Sequence, residues 1–250
     1  MNYTREHHRR ISNVLHKFNS ELFHNSGLLF GGGTRIALEL GEFRVSTDID
    51  IVCPTAESYR VVREQVTQSS LGSLVTSKLD LAREIRSDRD AVRTAVLEDG
   101  EPIKLEFIRF NDPFLSTDID RDLFPIPALG RATCFYTKLL ANADRYSRTS
   151  RKDIIDILAM CEHWGTLSKL AMAAASETYG PDVITRALRV ALEDVREDPN
   201  SFNEIARGLG INSAYQTRLI ATANMLTDNF QSIASNSRVS ENGIQPPSPM

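Results

Sequence analysis

The sequence predicts an α+β chain in which a domain built on a mixed sheet is followed by an all-helical domain. Three observations carry this. Residues 45–52 and 81–110 alternate apolar and polar side chains with the two-residue period of strands. Beyond residue 131 the apolar residues recur at helical spacing almost to the end. Between these patterns lie Pro113, Pro125, Pro127 and Gly130, a loop that serves as the domain boundary. The expected division is 1–125 for the sheet domain, 126–235 for the helical domain and 236–250 for a disordered tail containing Pro246, Pro247 and Pro249.

Each element follows in order. Ile11, Val14, Leu15, Phe18 and Leu22 share one helix face, so a helix is expected over 5–24, ended by Gly27. Leu28, Leu29 and Phe30 read as a short buried strand. Gly31, Gly32 and Gly33 interrupt it before a short helix from Thr34 to Leu40. A strand over 45–52 ends at Pro54, and a helix follows at about 56–66. Segments 81–88, 91–98 and 102–110 form a meander whose turns are Asp88–Asp90 and Asp99-Gly100. Helices are expected near 132–146, 151–164, 166–178, 181–196, 201–208 and 212–232. The stretch 202–220 has a faint helix-turn-helix pattern, but with Arg218 as its only basic recognition residue it reads as an ordinary helical hairpin.

Composition narrows the function classes. The chain has 250 residues, 41% of them hydrophobic and 25% charged, enough for a sizeable core. With 29 basic and 33 acidic residues its net charge is −4, which excludes a globally basic nucleic-acid coat protein though not a local basic patch. Cys53, Cys134 and Cys161 are scattered and read as buried free thiols rather than as a disulfide or zinc framework. His16, His24 and His163 show no mutual metal spacing, and His7 and His8 in the polar start are candidate surface residues. No apolar run is long enough to span a bilayer, so the expectation is a cytoplasmic protein with no membrane partner.

The residues that carry chemistry cluster in FGGGTRIALELGEFRVSTDIDIV, residues 30–52. A strand, a triple glycine and a helix N-terminus present backbone N–H groups that a phosphate can approach closely. Asp48 and Asp50 stand two apart on a strand and project from one face. Two carboxylates that close repel unless a cation lies between them, and hard oxygen ligands suit Mg²⁺ or Mn²⁺. In PIKLEFIRF, Ile103, Leu105 and Phe107 take one face and Lys104 and Glu106 the other, which makes Glu106 the candidate third metal ligand. Three carboxylates beside a phosphate-cradling turn are the equipment of two-metal nucleotidyl transfer. Farther on, Lys138, Asn142 and Arg145 share a helix face. Residues 131–152 hold six basic side chains (Arg131, Lys138, Arg145, Arg148, Arg151, Lys152) against Asp144, a local surface for a triphosphate or an RNA backbone. A second STDID, at 116–120, lacks the glycine turn and the strand, and reads as coincidence.

Together, GGGT, the short helix, STDIDIV and a later lone strand carboxylate resemble the DNA-polymerase-β-like nucleotidyltransferase superfamily. Within it, residues 30–52 and the block TKLLANADRYSRTSRKDIIDILAM, residues 137–160, are similar to the AbiEii/AbiGii toxin family, the nucleotidyltransferase halves of bacterial toxin–antitoxin and phage-defence systems. The resemblance implies an NTP and Mg²⁺ bound between the two domains. It matches Gly32, Gly33 and Thr34 to the phosphate-binding turn and Asp48 and Asp50 to the metal ligands. Ser46 matches a frequent hydroxyl, and Lys138 with Asp153 the second-domain site residues. Arg35 departs from the pattern, and either contacts a phosphate or projects away; Glu106 departs by its extra methylene.

The reading that follows is an Mg²⁺-dependent transfer of an NMP from an NTP to an acceptor hydroxyl, an RNA such as a tRNA end, by a toxin with an antitoxin encoded nearby. Its metal-binding residues are Asp48, Asp50 and Glu106, and Glu106 or a carboxylate beside it serves as base. Lys138 neutralises the departing pyrophosphate, with Arg145 and Asp153 beside it, and Lys138→Ala is expected to slow transfer while leaving the fold intact. A small-molecule alcohol or a protein hydroxyl as acceptor, and a nucleotide-binding protein that has lost catalysis, are the alternatives.

Overall fold

The opening stretch folds as two helices, α1 (Glu6–Lys17) and α2 (Ser20–Ser26), where apolar spacing predicts one. The break falls at Phe18, whose extended backbone bridges Val75, and Asn19 caps α2 by accepting from the Leu22 N–H. A side-chain cap and a remote backbone partner together override the continuous helical periodicity. The computed structural model describes residues 3–117, 123–145 and 151–241, with side chains to residue 229.

β1 (Leu29–Gly31) runs straight into α3 (Gly32–Glu39), which starts two residues earlier than the glycines suggest. β2 (Asp48–Cys53) and α4 (Ala56–Gln65) follow, the latter opened by a capping box between Thr55 and Ser58. The meander is present as β3 (Asp80–Ser87), β4 (Ala91–Glu98) and β5 (Glu101–Arg109). Asp99 and Gly100 both have positive φ between the paired Glu98 and Glu101, as a two-residue hairpin turn requires. The sheet order is β1-β2-β5-β4-β3, with β2 and β5 parallel and every other pair antiparallel. The fold is therefore α+β with a mixed sheet.

Six helices complete the described chain: α5 (Arg131–Arg145), α6 (Lys152–Trp164), α7 (Lys169–Tyr179), α8 (Pro181–Glu197), α9 (Pro199–Gly208) and α10 (Ser213–Glu241). α9 and α10 form a helical hairpin. α10 continues to Glu241, past the expected end at 232 and into the segment expected to be a tail; residues 242–250 lie outside the described residues. Asp118 and Asp120 of the second STDID also lie outside them, while Thr117 bridges Leu129.

The two faces of β2 feed two cores. Ile49 and Ile51 pack with Ile11, Leu15, Phe23 and Val62 from α1, α2 and α4. Val52, on the face shared with Asp48 and Asp50, packs with Ile36 of α3 and the helical region beyond residue 131. α3 contacts α5 and α6, so the glycine turn is pressed between the sheet and the later helices. Residues 127–129 return to the sheet edge, where Phe30 N–H donates to the Pro127 carbonyl and Leu129 N–H to the Phe30 carbonyl. All three cysteines are free and buried. Among the described residues no helix is long and apolar enough to cross a membrane.

Candidate active site

The register of the two parallel strands brings the three acidic residues together. Asp48 lies opposite Lys104 and Asp50 opposite Glu106, so Asp50 and Glu106 are lateral neighbours on one sheet face. Parallel neighbours are about 4.8 Å apart. The charges sense one another: burial first, then Asp48 and Glu106, push the Asp50 carboxyl up to about 6, against the pull of Lys138 and Lys104. Adjacent carboxylate oxygens whose charges repel, as at Asp48 and Asp50, are the chemistry that suits a hard divalent cation.

Only the two aspartates stand ready for one. Glu106 is held by cations of its own: Arg93 Nε lies 3.0 Å from its Oε1 and Lys104 Nζ 2.7 Å from its Oε2. Among the described residues no three His, Cys, Asp or Glu side chains converge on a point that would hold a metal ion. The physical reason is charge compensation, since Arg93 and Lys104 take up lone pairs that a third ligand would offer.

The glycines are explained by what presses on them. Gly32 has φ +69°, and a β-carbon there would overlap Asp50 Oδ2 and stand 2.8 Å from Asp50 Cγ. A β-carbon on Gly33 would overlap the Arg44 guanidinium and approach Asp156 Oδ2 to 3.3 Å. The triple glycine thus lets the first turn of α3, with its free N–H groups, lie against Asp50 on one side and a buried charge cluster on the other. Thr34 is buried; its Oγ1 donates to the Asp48 carbonyl and sits 2.8 Å from Ser46 Oγ, which ties the turn to the start of β2.

Arg35 needs correction as a nucleotide-binding residue. It points into the interior, ion-pairs with Glu39 one turn on, and has its guanidinium 5.8 Å from the Phe124 ring centroid and 5.4 Å from that of Trp164. The i,i+4 carboxylate and the two aromatic faces hold its charge there, while Arg35 Nε is buried without a hydrogen-bond partner among the described residues.

The charge cluster beside Gly33 joins both halves of the chain. Asp156, fully buried, receives Arg44 Nε on Oδ1 at 2.6 Å and Arg44 Nη2 on Oδ2 at 2.9 Å, and pairs with Lys138 Nζ at 2.7 Å. Lys138 also donates to Asp153 Oδ1 at 3.0 Å, and Arg145 Nε donates to Asp153 Oδ2 at 3.0 Å. Burial would raise the Asp156 carboxyl, but Arg44 and Lys138 outweigh it and hold it below the usual range. Burial likewise opposes the Lys138 charge, and Asp156 and Asp153 restore it and raise its pKa. Three cations face two carboxylates, leaving one positive charge next to the turn.

Arg44 and Asp156 escape the sequence reading of the site. The signal was present: α6 is buried at every position from Asp153 to Cys161, and a carboxylate inside an apolar helix demands a cation. His8 is also corrected. It is fully buried, donating Nδ1–H to Glu42 Oε1 at 2.9 Å and accepting the Ser46 N–H on Nε2 at 3.2 Å. Thr4 and Arg5 add N–H donors to Glu42, so the start of the chain clasps the loop that leads to Asp48.

The expected basic surface over 131–152 is largely spent on acids. Arg131 pairs with Glu39, Lys138 with Asp153 and Asp156, Arg145 with Asp153, and Arg151 with Asp194; Lys152 is exposed and Arg148 lies outside the described residues.

The model of a family described as "Nucleotidyl transferase AbiEii toxin, Type IV TA system" matches residues 14–233. No curated protein matches the chain by sequence. Two solved structures from Helicobacter pylori share the fold. One, a candidate nucleotidyltransferase, is 13% identical with a TM-score of 0.54, covering 93% of this chain and 99% of its own. The other, JHP933, is 11% identical with a TM-score of 0.54, covering 96% and 100%. At such identities the likeness extends to the fold alone.

Proposed function

The chain belongs to the AbiEii nucleotidyl transferase toxin family, and from that premise we propose that it transfers an NMP from an NTP to a hydroxyl of an RNA. The observation that carries the reading is Asp50 lodged between Asp48, Glu106 and the Gly32 backbone. A metal-binding carboxylate pair and a phosphate-binding turn then share one wall.

In this reading Asp48 and Asp50 would hold a divalent cation, Mg²⁺ or Mn²⁺, and Glu106 would be the third ligand if released from Arg93 and Lys104. Bound there, the cation would brace the triphosphate and make the acceptor hydroxyl more acidic. The N–H groups of Gly32, Gly33 and Thr34 face the phosphates. Thr34 and Ser46 hold the turn against β2. The acceptor oxygen attacks the α-phosphorus and forms the new P–O ester. The α–β bridge bond breaks, and pyrophosphate leaves with its electron pair. Glu106, in register with Asp50, takes the hydroxyl proton. Lys138, with Arg44 behind Gly33, offsets negative charge on the triphosphate and on leaving pyrophosphate. Asp153 and Asp156 orient those cations, and Arg145 neutralises Asp153. The type IV toxin–antitoxin description of the family extends the proposal to an antitoxin protein as partner.

The test is incubation with each of the four α-labelled NTPs, Mg²⁺ and total cellular RNA. Label in an RNA band supports the reading. Label on a small alcohol or a protein instead would move the acceptor, and no transfer with any NTP would remove the activity.

A further inference from the structure

On the face of the sheet turned away from the carboxylates, the exposed side of α4 meets the β3–β4 turn and the end of β5. Arg60, Arg63, Arg89 and Arg109 line a groove of about 770 Å³ there. Among the described residues none of these four guanidinium groups is in an ion pair, and three of them stand exposed. The contrast with residues 131–152, where the cations are largely matched to acids, is physical: here free positive charge is concentrated without a protein partner.

The two acids at the groove do not cancel it. Asp88 already accepts the N–H groups of Asp90 and Ala91 on Oδ1 and pairs with Arg93 through Oδ2. Glu64 is a single charge against four. The groove also lacks the apolar anchor on which protein interfaces depend. Tyr59, its one aromatic residue, is 4% exposed, with its hydroxyl donating to the Asp88 carbonyl. Planar guanidinium forks without aromatic anchors match phosphate oxygens, which they bind in bidentate fashion.

We propose that this groove binds the phosphodiester backbone of the RNA acceptor and holds it while one end reaches the carboxylates. The inference rests on the reading that the acceptor is RNA. Arg109 lies opposite Cys53, the last residue of β2, whereas Asp48 is its first. At about 3.3 Å per residue the groove stands some 17 Å along the strand from Asp48 and on the opposite face. A mononucleotide cannot bridge that separation and a polymer can. Each phosphate contact releases counterions, so affinity should fall steeply with salt.

The test is RNA binding by fluorescence anisotropy, using labelled total tRNA at several salt concentrations and no NTP. Wild type is compared with the triple variant Arg60→Glu, Arg63→Glu, Arg89→Glu. A second triple variant, Arg186→Glu, Arg189→Glu, Arg207→Glu, makes the same charge change on exposed arginines of the helical region. The expected result is a loss of about ten- to a hundred-fold in affinity for the groove variant. Its slope of log K against log salt should be shallower by about 2, as three lost phosphate contacts imply, with little change for the second variant. Equal losses in both would reduce the effect to net charge and overturn the groove. Unchanged RNA affinity in the first, or an acidic polypeptide bound there in place of RNA, would also overturn it. Failure of wild type to bind RNA, alongside NMP transfer to a small alcohol, would remove the groove's role while nucleotidyl transfer stood.

Discussion

Arg44 and Asp156 form a buried two-pronged ion pair, Nε to Oδ1 at 2.6 Å and Nη2 to Oδ2 at 2.9 Å, across 112 positions of sequence. The pair fastens the loop before β2 to the second helix of the helical region, directly behind Gly33. Breaking one side of a buried pair strands the other charge, at a cost of about 3–5 kcal/mol. Arg44→Ala should destabilise the protein by that order in chemical denaturation. Arg44→Lys, which keeps the charge and loses the fork, should fall between. A change within about 0.5 kcal/mol in both would show the pair to be dispensable.

Lys138 lies in the same cluster, so its loss should cost stability as well as transfer. Lys138 is 9% exposed and bridges Asp153 and Asp156. Lys138→Met should lower both the unfolding free energy, by about 3 kcal/mol, and NMP transfer, by about ten-fold or more. Full activity in a destabilised protein would make the lysine purely structural.

Gly32 and Gly27 share nearly the same φ, +69° and +66°, but a β-carbon at 32 meets Asp50 whereas one at 27 meets nothing within 4 Å. Gly27→Ala should therefore cost only the left-handed strain, about 1 kcal/mol, and leave transfer at its normal rate. Gly32→Ala should add displacement of Asp50 and lower transfer at least ten-fold. Similar activities for the two variants would deny Gly32 its place beside the carboxylate.

What was legible in the sequence was local. The glycine turn, the Asp48–Asp50 spacing and the β4–β5 meander each lie within a few residues, where periodicity and turn chemistry speak directly. The Arg44–Asp156 pair and the Glu42 clasp depend on partners 112 and 34–38 residues away, which no spacing rule connects. Glu106 shows the same limit. Alternation puts it on the correct face, but only the register reveals Arg93 and Lys104 at its oxygens. The helix break at Phe18 was half legible: Asn19 is a readable cap, whereas the bridge to Val75 is not.

The clasp makes stability depend on acid. Burial would raise Glu42, yet hydrogen bonds from Thr4, Arg5 and His8 bring it down to about 2 from 4.5. His8, whose burial outweighs Glu42, is lowered from 6.5. Both folded-state values lie below the unfolded ones, so both contributions are complete above the unfolded values and are lost as pH falls. Stability should decline below about pH 6.5 as unfolded His8 protonates, and further between pH 4.5 and 2 through Glu42. The Glu42 share is on the order of 3 kcal/mol. Denaturation at pH 7, 5 and 3 on wild type and Glu42→Gln checks this. The variant should be less stable at pH 7 and show a flatter profile at low pH; parallel profiles would contradict it.

If Asp48 and Asp50 hold the cation that drives transfer, their charges should be indispensable to label transfer from an α-labelled NTP to RNA in Mg²⁺. Wild type is set against Asp48→Asn, Asp50→Asn, a variant that keeps the shape and removes the charges. Wild type should transfer label and the double variant should fall to background, with its circular dichroism and unfolding transition retained. Transfer at the wild-type rate by the folded double variant would contradict that role for the aspartates.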